Sequence, residues 1–285
     1  MKSAYTHHMS LSPISTSFLY LAADSPPPFA YAFPPPAGQA ERGGDYDWVP
    51  SQVADARPHM DSLSLDREGF VLRRHPTPLT NFADDAAVQA VYYPEIAALI
   101  RAETGASRVL VFDHTRRLAG AAPPAGTREA VLRVHNDYTM RSGPQRLRDL
   151  LPADQAERLL GQRWALVNAW RPLNRPVPRT PLAFCDAGTT RSEDFVAAAL
   201  IYRDRRGETS SVVHSSRHRW FHFPQMTPDE VALFKCFDSD AARACMTPHS
   251  AFEDPATPAD APLRESIESR ALLFFDPEWA EAAAA

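Results

Sequence analysis

The sequence predicts a mainly β fold with flanking helices, an antiparallel barrel or sandwich, on three observations. Short runs with strand character follow one another at 108–112, 130–138, 165–170, 182–185, 197–203, 210–214, 220–223 and 266–275. Pro, Gly, Asn and Asp punctuate them at short intervals, the pattern of strands joined by turns. Helical periodicity is confined to a few stretches, so helices enter as inserts.

In chain order, the opening segment carries Pro26, Pro27, Pro28, Pro34, Pro35 and Pro36, then Gly43-Gly44, which disfavours helix and central strand. An extended arm is expected over 1–45, able to pack on a partner subunit in a homodimer. Within it, Ser17-Phe18-Leu19-Tyr20-Leu21 reads as a short strand that could add to a sheet edge. The remainder, 46–280, has the length of one domain. Its principal helix spans 84–104, with Val88, Val91, Tyr92, Ile96, Ala97, Leu99 and Ile100 at helical spacing and Gly105 as a stop. A second helical pattern covers 147–160, and Thr227-Pro228-Asp229-Glu230 reads as the start of a helix over 228–234.

A hydrophobic share of 44% and a charged share of 23% fit a soluble globular chain. The net charge of -5, with no basic stripe, argues against nucleic acid as a partner. Apolar runs are far shorter than the roughly 20 residues a membrane span needs. Cys185, Cys236 and Cys245 form no CxxC pair, against both a disulfide framework and a structural zinc site and in favour of reduced thiols in the cytoplasm.

The chemistry centres on Val131-Leu132-Arg133-Val134-His135-Asn136-Asp137-Tyr138. Residues two apart on a strand share a face, so the His135 imidazole and the Asp137 carboxylate would converge on one metal. A second histidine would complete the facial triad that leaves positions on iron(II) open for a co-substrate and oxygen. His214, His218 and His249 are the candidates. The apolar run ending at Asp238, followed by Pro248-His249-Ser250-Ala251-Phe252-Glu253-Asp254-Pro255, resembles the distal-histidine region of taurine-dioxygenase-type enzymes and favours His249.

A dicarboxylate co-substrate also needs a fixed cation for its far carboxylate, and the planar fork of arginine suits that task. Arg264, Ser266, Glu268 and Arg270 share strand parity, so Arg264 and Arg270, with the Ser266 hydroxyl, would face one cavity. Burying such arginines without an anion is costly, which makes a bound carboxylate the physical explanation. Asn168 is a further candidate for co-substrate binding. Tyr138, His114, Arg116 and Trp220 are candidates for substrate contact.

Several phrases taken together resemble one family: Phe112-Asp113-His114-Thr115-Arg116-Arg117, Val134-His135-Asn136-Asp137-Tyr138-Thr139, Asn168-Ala169-Trp170-Arg171-Pro172, His218-Arg219-Trp220 and Arg264-Glu265-Ser266-Ile267-Glu268-Ser269-Arg270. The chain is similar, from about Phe18 to Phe275, to the gibberellin-desaturase-like and aspergillic-acid-hydroxylase-like proteins. That resemblance implies a double-stranded β-helix (jelly-roll, cupin-like) core, dependence on Fe(II), 2-oxoglutarate and O2, and a small specialised metabolite as substrate. It implies no single outcome, since such enzymes hydroxylate, desaturate or close rings. Competing readings are an iron oxidase that does not use 2-oxoglutarate and a non-catalytic accessory protein of a biosynthetic pathway.

Overall fold

The computed structural model describes residues 12–118, 127–173 and 179–276. Two curled sheets face each other across an aromatic core. Six strands make one sheet, in the order Phe70–Arg74, Glu230–Asp238, Trp164–Pro172, Glu265–Phe274, Arg108–Leu118 and Thr127–Arg128. Ten make the other, at whose middle Leu182–Cys185, His249–Ala251, His135–Asn136 and Arg206–Val212 lie side by side. Phe70, Trp164, Trp170, Phe234 and Phe274 from the first sheet meet Leu182 and Phe184 from the second, and Phe223 just past its strand Trp220–His222, in a single buried cluster. The Phe184 ring lies 5.2 Å from both Phe70 and Phe234, which ties the two sheets face to face. The strand-rich arrangement is the expected double-stranded β-helix.

The principal helix packs on the outer face of the six-stranded sheet. Val88, Tyr92, Ile96 and Ile100, all fully buried and four apart, form its apolar stripe against Val167, Leu233, Ile267 and Leu273. Asp84 caps its start by accepting from the Ala86 and Ala87 amides at 3.0 and 3.1 Å, and Gly105 ends it at φ 69°. Val88–Tyr92 is a π turn. Pro94 follows directly and cannot donate to the turn before it, a local reason for the ladder to change register there.

Three expected elements come out differently. The 147–160 pattern is two helices, Ser142–Leu150 and Ala153–Leu160, because Leu151 precedes Pro152 and takes an extended conformation. The helix expected over 228–234 is the strand Glu230–Asp238. Thr227 and Glu230 do make the capping contact at 2.8 Å, but it closes one turn only. The apolar run behind it pairs with a strand on each side, and this burial on both faces overrides the local start signal. The strand expected over 130–138 pairs regularly only at His135–Asn136.

The opening segment also does more than extend. Ile14–Leu21 pairs along its whole length with Tyr46–Asp55 at the edge of the larger sheet, and Phe18 and Tyr20 are buried. The Phe18 ring stacks on Trp220 at 4.0 Å. Trp220 donates from its indole nitrogen to the Tyr20 hydroxyl at 2.8 Å. Between those two strands and the body of the chain, Arg57 forks onto Glu230 at 2.7 and 3.0 Å. Burial opposes ionisation of Glu230, but the Arg57 fork and the Thr227 amide outweigh it and hold the carboxyl below its ordinary 4.5. Its stabilising contribution is therefore complete above the unfolded value and is lost as pH falls through the folded one. We expect Glu230→Gln to lower the melting temperature at neutral pH by roughly 2–4 °C. The gap to wild type should close on acidification, and a gap constant down to strongly acidic pH would exclude this linkage.

Candidate metal centre

His135 and His249 sit on adjacent strands of the larger sheet and are direct cross-strand partners. Partners in a ladder project from the same face, and here that face is the inner one, because His249 also pairs with Phe184. The two imidazole rings lie 4.3 Å apart. Asp137 follows two residues after His135, with Oδ1 at 3.8 Å from His135 Nε2 and 3.9 Å from His249 Nε2. One donor atom from each of the three falls within 4.8 Å of the others.

The ring orientations are set by backbone. His135 Nδ1 donates to the Arg133 carbonyl at 2.8 Å, and His249 Nδ1 donates to the Thr247 carbonyl at 3.0 Å. A carbonyl only accepts, so both Nδ1 atoms carry the proton, and Nε2 is the ring atom each histidine has left for a metal. His249 Nε2 is buried and without a hydrogen-bond partner among the described residues. Burial, with His249 beside it, pushes His135 down to about 4, so the imidazole is neutral at physiological pH. For Asp137 burial works against ionisation, but Arg270, the two histidines and the Asn168 amide overcome it and hold the carboxyl far below its usual range. Two imidazole Nε2 atoms and one carboxylate, each side chain fixed by a partner behind it, are the donor set and the outer support that a divalent iron site needs.

Beside the triad is a small, partly open cavity lined by Arg117, Trp170, Leu182, Arg264 and Glu268 together with the two histidines. Arg264 is 3% exposed. It donates to the Thr180 carbonyl at 2.7 Å and makes no ion pair among the described residues. Burial and the neighbouring Arg117 pull its guanidinium down to about 9. The Trp170 indole nitrogen of this lining and the Ser266 hydroxyl, buried two residues along from Arg264 but not part of the lining, also lack partners among the described residues. A cation and two donors without acceptors are what a carboxylate would satisfy.

The other expected site residues fall elsewhere. Asn168 and Arg270 do not line this cavity; both donate to Asp137 Oδ2, at 2.8 and 3.0 Å. Arg270 also holds Glu268 at 2.6 Å and Asp113 at 3.1 Å, which leaves no free fork for a co-substrate. Tyr138 is buried beside Asp137 and Arg270, and burial raises its hydroxyl well above the usual range. His114 and Arg116 pair with Ser269 and Ile267, whose side of the strand is the outer one. His114 binds the Tyr93 hydroxyl there at 2.9 Å, so neither residue is placed for substrate contact. Trp220 belongs to the cluster on the outer face of the larger sheet, not to a pocket wall. His218 bridges Tyr20 at 3.0 Å and Asp194 at 3.2 Å, and His214 packs on Tyr20 at 5.1 Å, both away from the triad. The sequence reading missed Asp113, Arg117, Trp170 and Glu268, which support or line the site.

Known proteins are similar to this chain over most of its length. A family model described as an oxidoreductase/YMDC permease-like domain matches residues 17–274. The hydroxylase/desaturase efuI of Hormonema carpetanum is 35% identical over 256 residues, 81% of this chain and 85% of that protein. The Fe(II)/2-oxoglutarate-dependent dioxygenase nvfI of Aspergillus novofumigatus is 32% identical over 86% of this chain and 90% of that one. A solved structure of the iron and alpha-ketoglutarate-dependent endoperoxidase NvfI superposes with a TM-score of 0.84 at 28% identity, covering 92% of this chain and 98% of the other. A match over nearly the whole chain and relatives above 30% identity place it by descent as well as by geometry, and the chain belongs to this family of non-haem iron(II), 2-oxoglutarate-dependent oxygenases.

Proposed function

We propose that the protein is an iron(II)/2-oxoglutarate-dependent oxygenase in which His135, Asp137 and His249 hold the iron and Arg264, with Ser266, holds the distal carboxylate of 2-oxoglutarate. Its substrate is a small specialised metabolite, and the outcome is hydroxylation, desaturation or oxidative ring formation, in keeping with relatives named hydroxylase/desaturase and dioxygenase. The observation that carries the reading is the convergence of two imidazole Nε2 atoms and one carboxylate oxygen next to a buried guanidinium that makes no ion pair among the described residues.

When bound, iron(II) with 2-oxoglutarate and O2 supplies the oxidising power for an unactivated carbon, and the protein supplies position and dryness. The Arg133 and Thr247 carbonyls keep the two imidazoles in the tautomer that can ligate. Arg264 orients the co-substrate by its far end, with Ser266 as a second donor. Val131, Leu182 and Ala251 give the cavity apolar wall that limits water near the reacting centre. The reading extends to one oxygenase domain over 46–280 after the arm 1–45, working in the cytoplasm. No described helix is long and apolar enough to cross a membrane.

Oxygen uptake measured with and without 2-oxoglutarate, in parallel with succinate formation, tests the proposal. Uptake that requires 2-oxoglutarate and matches succinate is the expected result. Uptake without 2-oxoglutarate would instead make this an iron oxidase, with Arg264 holding the substrate's own carboxylate.

A further inference from the structure

Asp137 has two oxygens, and the structure treats them differently. Oδ1 faces His135 Nε2 and His249 Nε2 at 3.8 and 3.9 Å. Oδ2 accepts from Arg270 Nε at 3.0 Å and from Asn168 Nδ2 at 2.8 Å, which takes up the lone pairs of that atom. The arginine cannot swing away. Its Nη1 donates to Asp113 Oδ1 and Thr115 Oγ1, each at 3.1 Å, and its Nη2 donates to Glu268 Oε1 at 2.6 Å. Asp113 is held in turn by Arg146 at 3.2 Å, from the helix Ser142–Leu150. Glu268 is the carboxylate that lines the cavity with Arg117 and Arg264, and Arg117 stands 4.0 Å from it.

Resting on the assignment of the triad and of Arg264 made above, we infer that Arg270 is a positioning residue with two linked tasks. It holds Asp137 as a ligand through Oδ1 alone, and it neutralises Glu268 so that Arg117 and Arg264 leave the cavity receptive to a dianion. The first task follows from occupancy of Oδ2. A carboxylate released from both donors is free to offer two oxygens to the metal and to occupy a position that the co-substrate or oxygen needs. The second follows from charge. Without Arg270, a buried carboxylate would face the end of a dicarboxylate ligand in surroundings that screen it poorly.

The two tasks separate in variants of the full chain. Cobalt(II) alone serves as the metal probe, read by its visible ligand-field spectrum, and 2-oxoglutarate binding is read anaerobically by the visible charge-transfer band of the iron(II) protein. Arg270→Lys and Arg270→Gln should each weaken cobalt binding roughly ten- to a hundredfold and change the cobalt spectrum. Arg270→Gln should also weaken 2-oxoglutarate binding by about tenfold, the scale of one charged interaction. Adding Glu268→Gln to Arg270→Gln should restore 2-oxoglutarate binding to within about threefold while cobalt binding stays weak. That double variant removes the carboxylate that Arg270 no longer neutralises, and with Arg270→Lys it carries the test should Arg270→Gln alone fail to fold. Unchanged cobalt affinity and spectrum in Arg270→Lys and in the double variant would overturn the inference while wild type still loses its metal on Asp137→Ala. If Asp137→Ala binds cobalt as wild type does, the triad assignment falls and the inference with it.

Discussion

Replacing Asp137 with alanine is expected to abolish iron(II) binding while the protein stays folded. The carboxylate supplies the only negative charge of the donor set, and two neutral imidazoles hold a divalent ion far less firmly. The loss should exceed the roughly 10–100-fold that removing an outer partner costs. Folding should survive because Arg270 keeps Asp113 and Glu268, so the substitution strands no unpaired charge. Two donors, Arg270 Nε and Asn168 Nδ2, lose their acceptor, at about 1–3 kcal/mol each. Metal content after reconstitution and a thermal melt of the metal-free protein check the two halves separately. Full turnover by this variant would remove Asp137 from the metal site.

Arg264→Met should act with opposite signs on binding and on stability. Removing the cation should raise the 2-oxoglutarate requirement roughly ten- to a hundredfold, as expected for losing a charged hydrogen-bonded contact worth about 1.5–3 kcal/mol. The protein without co-substrate should become more stable, because a nearly buried guanidinium without an ion pair among the described residues gives way to an apolar side chain of similar length. Wild type should gain melting temperature when iron(II) and 2-oxoglutarate are added together, and the variant should gain much less from the co-substrate. If Arg264→Met melted lower than wild type without ligand and bound 2-oxoglutarate equally well, Arg264 would be a structural residue.

How the site residues divide shows how far a linear pattern carries. His135 and Asp137 were legible as neighbours because a spacing of two projects side chains to one side. His249 was singled out from its surrounding phrase, and the fold places it directly across the ladder from His135. The phrase from Phe112 to Arg117 was also legible as part of the site, but with the wrong residues. Leu110 pairs with Leu272 and faces inward, yet beyond Phe112 the register shifts, and Asp113, Thr115 and Arg117 take the inner side. A bulge reverses the parity of every residue after it, so His114 and Arg116 take the outer side. Trp220 was drawn into the site by its neighbourhood in sequence, whereas Cys185, its cross-strand partner, belongs to the outer cluster.

Composition and strand punctuation were enough for a mainly β chain, and the histidine-aspartate spacing for two donors on one face, because these signals are local and survive without knowledge of register, whereas the family came from the resemblance of the five phrases. The division of labour among Arg264, Arg270, Asn168 and Glu268 was not readable in the same way. Asn168, Glu268 and Arg270 lie on strands with inward parity, and Arg264, just before the last of these strands, continues the same alternation, so periodicity treats them alike. What separates them is which charges other strands bring within reach. Asp137 and Asp113 arrive beside Arg270, while Thr180 offers Arg264 only a neutral carbonyl. Interactions between charges depend on distances of a few ångströms in surroundings that exclude water, and such distances are set by pairing between segments far apart in the chain.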